Sequence, residues 1–100
     1  MTRTAEIVTF TLIPGSDPAA FAAVASRLDA WRACQPGCLV RCLSLAGDTW
    51  TDRVLWSDRT SADTAAAKLM TEPVAAPFMA ITAPGSVRSA RGGVTLWRAT

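Results

Sequence analysis

Residues 49–58, TWTDRVLWSD, combine aromatic and acidic side chains at a spacing that could do chemistry. In an extended chain, alternate side chains point to opposite faces, so Trp50, Asp52 and Trp56 share one face. An ionised carboxylate among indoles needs a partner or water, because apolar surroundings disfavour its charge. The stretch therefore predicts either a strand end whose aspartate reaches water or the floor of a pocket.

In a pocket, the Asp52 carboxylate could act as a base, while Trp56 could stack on a planar ligand. The structural alternatives are a core tryptophan and an aspartate held in an ion pair. A two-residue turn at 47–48 would place Leu43 opposite Asp52 and Arg41 diagonally beside it, and one more turn residue would send Arg41 to the other face. A buried aspartate beside arginine would stay ionised and be a poor base, so the turn length bears on mechanism.

Further candidates for substrate binding are side chains that could contribute hydroxyls or apolar walls. They are Trp50, Phe78, and the first-strand threonines Thr9 and Thr11. With Asp52 and Trp56 as catalytic residues and Arg41 steadying an anion, these complete the predicted site. Arg88 and Arg91 on the last strand are expected to meet solvent or a partner protomer.

The cysteines Cys34, Cys38 and Cys42 are spaced by four, which invites a metal interpretation. Pro36 and Gly37 break any helix between the first two, and on a strand Cys38 and Cys42 stand about 13 Å apart. Buried reduced thiols acting as small apolar residues are therefore expected. The chain has no histidine, so most zinc sites and every histidine-ligated haem are excluded, and neither metal nor cofactor is predicted.

Composition fits a single domain over residues 1–100, with half of the residues hydrophobic and a net charge of +2. No basic block or Gly-rich RNA-binding pattern occurs, so no nucleic-acid partner is expected. The start does not fit a signal peptide, and no apolar run approaches the roughly 20 residues that cross a bilayer. A cytoplasmic protein from a GC-rich bacterium, with no membrane partner, is the expectation.

The first half predicts strand, helix, strand and strand. Residues 4–13 alternate as a half-buried strand, and Asp17 with Pro18 begins a helix running to about Cys34. Residues 38–45 form the second strand, joined to the third by the turn at 47–48.

The second half predicts a helix over 60–71 capped by Thr60 with Asp63, a short helix over 77–81, and a last strand over 86–98. Gly92 and Gly93 suggest a bulge or bend in that strand. The order is the α+β, ferredoxin-like βαββαβ arrangement with an antiparallel sheet. Trp50, Val54 and Trp56, with the leucines of the second strand, predict an apolar sheet face that a second copy covers, giving a homodimer.

The chain resembles the antibiotic-biosynthesis-monooxygenase-like members of the dimeric α+β barrel superfamily. The resemblance rests on a strand ending in Pro14-Gly15, a capped helix with Phe21, the segment Gln35-Pro36-Gly37, the residues 52–56 and the Ala-rich helix after them. It implies two protomers packed sheet to sheet, with each barrel interior able to hold a small hydrophobic molecule.

Cofactor-independent monooxygenases of this group oxidise aromatic polyketide phenols to quinones. Their pattern has an asparagine four residues before a third-strand tryptophan, and the matching positions here are Asp52 and Trp56. An amide can donate to a developing oxyanion, whereas a carboxylate could act as a base. The haem-degrading relatives need a histidine that this chain lacks. The resemblance implies an oxygenase, or a related isomerase, acting on an aromatic or polyketide-like substrate; the alternative is a non-catalytic ligand-binding or interaction module.

Overall fold

A computed structural model of the chain describes residues 2–99 and contains one antiparallel sheet and three helices. The strands lie in the order β2-β3-β1-β4, with each neighbouring pair antiparallel. This is the predicted ferredoxin-like arrangement, with the short predicted helix present between the second long helix and the last strand. The elements are β1 (Thr4–Phe10), α1 (Pro18–Ala33), β2 (Cys38–Ala46), β3 (Thr49–Trp56), α2 (Arg59–Leu69), α3 (Ala75–Ile81) and β4 (Arg88–Gly93).

Helix α1 begins and ends where the sequence predicts. The Asp17 carboxylate accepts a hydrogen bond from the Ala19 amide at 3.0 Å, and Pro18 occupies the first turn, where its missing N–H costs nothing. Cys34 closes the helix. The buried face of α1 carries Phe21, Leu28 and Arg32.

Helix α2 begins earlier than predicted, because Asp58 and not Thr60 is its N-cap. Strand β3 ends at Trp56, and Asp58 follows with extended dihedral angles that aim its carboxylate at the first turn. Its Oδ1 accepts a hydrogen bond from the Ser61 amide at 2.7 Å. That backbone hydrogen bond, with those from the Ser61 and Ser57 side chains, lowers the pKa of Asp58.

The segment before β2 packs tightly against the start of α2. Gly37 has a φ of +84°, and a Cβ there would collide with the side chains of Ser57 and Ser61. Its carbonyl accepts a hydrogen bond from the Ser57 amide at 2.8 Å. A glycine at this position therefore lets the end of β3 and the α1–β2 loop meet.

Two strands are shorter than predicted. Strand β1 stops at Phe10, and Leu12 makes only an isolated bridge to Thr82. Strand β4 ends at Gly93, and its register with β1 is regular through Gly93, so the glycines end the strand and form no bulge. In both cases the predicted strand continues past the end of its neighbour in the sheet, and the observed strand does not.

The β2–β3 hairpin has the register predicted for a two-residue turn. Leu43 lies opposite Asp52, and Arg41 lies opposite Val54. Gly47 takes a φ of +63° in the turn, a conformation that glycine adopts at no steric cost. Arg41 therefore shares the face of Asp52.

All three helices cover the face of the sheet that carries Asp52. Val54 and Trp56, which are 2% and 1% exposed, pack with Ala62 and Ala65 of α2 in the core. The large apolar face predicted to meet a second copy is thus covered within the chain, which corrects that assignment. The opposite face stays open and carries Ile7 and Val40, which are 43% and 46% exposed.

The cysteines differ from the expectation of three buried thiols. Cys34 and Cys42 are exposed, and only Cys38 is half-buried; all three are free. Burial raises the pKa of Cys38 and keeps its thiol neutral. Within the described part of the chain, no helix is long and apolar enough to cross a membrane.

Candidate functional site

A cavity of about 400 Å³ lies between the sheet and the helices of the single chain. Its volume falls in the range of small-molecule sites, which is about 300–1,000 Å³. The wall is mostly apolar, and the charged side chains in it are Glu6, Arg32 and Asp52. Apolar lining residues from both layers include Val8, Leu28, Ala65, Leu69 and Met79. The resemblance implied a cavity in a barrel between two sheets, whereas this one is bounded by the helices.

Asp52 lines the cavity, is 5% exposed and is held by Arg41. Arg41 Nε donates to Asp52 Oδ1 and Nη2 donates to Oδ2, each at 3.0 Å. Arg41 Nη1 also donates to Asp29 Oδ1 at 3.1 Å. Burial alone would lower the pKa of Arg41, but the hydrogen bonds and charges of Asp52 and Asp29 raise it, so the cation persists. Both oxygens of Asp52 are engaged in this bidentate pair.

Glu6 of β1 is the centre of a second charged cluster that sequence reasoning missed. It is 7% exposed, and its Oε2 accepts from Arg91 Nε at 2.6 Å. Its Oε1 faces Arg32 Nη1 and Trp56 Nε1, each at 3.4 Å. Arg91 also pairs with Asp63 of α2, and its side chain is 20% exposed, so it is less open to solvent than expected. The available signal was the strand period, which places Glu6 on the same face as Val8.

Arg32 of α1 lines the cavity and is 9% exposed. Its hydrogen bond to Glu6 is long, and its Nε is buried with no partner among the described residues. The available signal was the helical period, since Arg32 follows Leu28 by four positions and so continues the buried stripe of α1.

Trp56 is both core and cavity wall, so the two sequence interpretations coexist. Its ring packs on the small residues of α2, and it lines the cavity with Trp31 and Phe78. Phe78 in turn meets Phe10 edge-on, with ring centroids 5.1 Å apart. Phe10 lines the cavity as well, so four aromatic side chains bound the space in which a ligand would lie.

Three other predicted residues lie elsewhere. Trp50 packs on Phe21, with ring centroids 4.5 Å apart, and with Thr11 it lines a separate, wider groove of about 890 Å³. Thr9 pairs with Thr51 on the open face of the sheet, away from Asp52. We take the smaller cavity as the candidate site because it holds the buried charged groups. Arg41 acts on it through Asp52 and is not among its described lining residues.

The described residues contain no group of three or more metal-ligating side chains. The two carboxylates in the cavity wall are each engaged by arginine, which competes with metal coordination. The arrangement can instead bind an apolar, flat molecule and place charged groups against its polar atoms.

Comparison with known proteins gives matches in structure alone. No family model matches the chain, and no curated protein matches its sequence. SnoaB, a cofactor-independent oxygenase from Streptomyces nogalater, superposes with a TM-score of 0.73 and 22% identity over 99% of this chain and 97% of its own. MupZ from Pseudomonas fluorescens gives a TM-score of 0.78 and 18% identity over 95% of this chain and 74% of its own.

A candidate antibiotic biosynthesis monooxygenase from Chloroflexus aurantiacus gives a TM-score of 0.69 and 13% identity, with 98% of each chain covered. Similarity at these identities establishes the fold, and the resemblance stated from the sequence is confirmed at that level. The chain has a ferredoxin-like fold similar to that of SnoaB and of the candidate antibiotic biosynthesis monooxygenase.

Proposed function

We propose that the chain binds a small aromatic or polyketide-like molecule in the cavity between sheet and helices and oxidises it as a cofactor-independent monooxygenase. The observation that carries this proposal is the cavity itself, a mostly apolar space lined by four aromatic and three charged side chains. A core packed solid at this place would leave no room for a substrate. A homodimer and a cytoplasmic location remain predictions.

The reaction needs only the substrate and dioxygen. Once a phenol or anthrone is deprotonated, the anion supplies electrons to oxygen; one oxygen atom enters as the quinone carbonyl, and the other leaves as water with the two displaced hydrogens. Trp56 would orient the ring, and Asp52 is the proposed proton acceptor. Because Arg41 engages both oxygens of Asp52, only acidic phenols or activated methylenes are expected to react.

A second candidate function is binding without turnover. It is favoured by one specific observation, which is that both carboxylates in the cavity wall already accept hydrogen bonds from arginine. In that case Asp52 is purely structural, and the cavity serves to carry or sense a ligand.

Oxygen uptake with a panel of anthrones and hydroxynaphthalenes separates the two functions. The oxygenase proposal expects one dioxygen consumed per quinone formed, and it expects Asp52→Asn to abolish uptake while leaving ligand binding nearly intact. Asp48→Asn, at an exposed turn residue, is the matched control. Binding of these compounds without any oxygen consumption would leave the second function.

A further inference from the structure

The arginines of the two buried clusters differ in how well they are paired. Arg41 donates three hydrogen bonds to two carboxylates, at 3.0 to 3.1 Å. Arg91 pairs with Glu6 and with Asp63. Within residues 2–99, Arg32 makes a single hydrogen bond, to Glu6, at 3.4 Å. Arg41 and Arg91 are therefore each held by two carboxylates, whereas Arg32 is held by one long hydrogen bond and has more donors to spare.

The shortage of partners at Arg32 is costly because the side chain is buried. Its side chain is 10% exposed, and its Nε has no hydrogen-bond partner among the described residues. A buried donor without an acceptor loses its hydration and gains nothing in return. Native proteins satisfy nearly all such donors. Since Nε has almost no accessible surface, a ligand in the cavity would reach the Nη groups of Arg32, whose residue lines it.

The position of Arg32 defines what an acceptor for these groups would be attached to. Leu28 and Trp31 of the same helix line the cavity beside it, and Trp56 faces them from the sheet. An aromatic ring between these walls would carry an oxygen substituent to the guanidinium. A charged oxygen benefits most, since charge-assisted hydrogen bonds are about twice as strong as neutral ones.

We propose that Arg32 recognises an anionic oxygen of the ligand, a phenolate or enolate carried on an aromatic ring system. The inference rests on the proposed use of the cavity and deepens it by naming the ionised form as the one bound. Arg32 takes the anion-binding role that the sequence suggested for Arg41. Glu6 competes with the ligand for the same guanidinium, so its charge limits the affinity.

Anaerobic titration with 4-nitro-1-naphthol, an aromatic alcohol that is ionised at neutral pH, tests the proposal without turnover. Its methyl ether, 1-methoxy-4-nitronaphthalene, has nearly the same shape and no ionisable group. The wild type is expected to bind the anion about ten- to a hundredfold more tightly than the ether. Decanoate, an anion with no ring, distinguishes an aromatic oxyanion site from a fatty-acid site and is expected to bind weakly.

Two variants with opposite expected effects identify the residue. Arg32→Gln should lose the preference for the anion, and Glu6→Gln should increase it, because the arginine is released from its carboxylate. General damage to the fold would instead weaken ligand binding in both variants. Arg27→Gln, at an exposed position of α1, should behave as the wild type.

Equal binding of the anion and the ether by the wild type would overturn the proposal, and so would an anion preference that survives in Arg32→Gln. If Arg32→Gln does not fold, the proposal is still tested by the wild-type preference for the anion over the ether and by the effect of Glu6→Gln on that preference. Decanoate binding as tightly as the naphtholate would overturn the aromatic assignment. Since no oxygen is present, failure of the oxygenase proposal leaves this result unaffected.

Discussion

Asp52 and Arg41 form a buried pair whose energetic role can be measured directly. Their side chains are 7% and 10% exposed, so neither charge is well hydrated. We expect Asp52→Asn to reduce the free energy of unfolding by about 3 kcal/mol, the lower end for breaking a buried pair, because Asp29 still holds Arg41. Urea denaturation beside the Asp48→Asn control measures it. A loss of unfolding free energy below about 1 kcal/mol would contradict burial of the pair, since it is typical of solvent-exposed ion pairs.

Trp56 is the most deeply buried large side chain, at 1% exposure. Trp56→Ala should therefore cost about 3–5 kcal/mol in free energy of unfolding, as large-to-small core substitutions do. Trp97→Ala, at a residue that is 42% exposed, is the control and should cost far less. Comparable losses in the two variants, from chemical denaturation, would contradict a core role for Trp56.

The sequence made the pairing of Arg41 with Asp52 conditional on the turn length, and the observed two-residue turn puts both on one face. Arg41 and Asp52 are 11 residues apart across one hairpin, so the turn length alone aligned them. Glu6 meets Arg32 and Arg91 across 26 and 85 positions, and no local pattern relates residues so distant. The second charged cluster depended on the packing of α1 and β4 around β1, which the sequence does not display.

The beginning of α2 shows how an element is placed by what precedes it. Asp58 and Thr60 are both residue types that can cap a helix N-terminus. Because β3 ends at Trp56, the helix begins early enough for Asp58 to be the N-cap. Asp58→Ala should lower the midpoint of thermal unfolding at neutral pH, whereas Thr60→Ala should leave it unchanged. Equal effects of the two substitutions would contradict the cap assignment.

The cap contribution has a defined pH dependence. The folded-state pKa of Asp58 lies below its ordinary value of 3.8, so the folded state favours the ionised form. The advantage of the wild type over Asp58→Ala is therefore full above that ordinary value and declines as the pH falls through the lowered folded-state pKa. Urea denaturation of both proteins from pH 7 downward measures the difference, and an advantage that grows on acidification would contradict this account.

Element order was predictable because each strand and helix carries its own period and its own breakers. Pro18 after Asp17 placed α1, and the turn at Gly47 placed the hairpin. The strand ends were not predictable, since β1 and β4 stop where their partners stop. Sequence alternation continues beyond both ends and therefore overstates their length.

At the scale of the molecule, the open sheet face is where a second copy would pack. Ile7 and Val40 lie on that face, and the helices already cover the other. We expect light scattering at micromolar concentration to give about twice the chain mass of 10.6 kDa. Ile7→Glu should shift the protein to monomer, and Ile13→Glu, 40% exposed and outside the strands, should not. A monomeric wild type would contradict sheet-face pairing.

The central claim is that the helix-covered cavity is the ligand site, and the four tryptophans report on it separately. Trp31 and Trp56 line the cavity, Trp50 lines the other groove, and Trp97 lies beyond β4 near Arg3. Nitrogen-15 correlation spectra of the indole N–H groups, assigned with single Trp→Phe variants, should be recorded during titration with 4-nitro-1-naphthol. We predict that the Trp31 and Trp56 signals move while those of Trp50 and Trp97 stay in place. Movement of the Trp50 signal alone, or of none, would contradict the account.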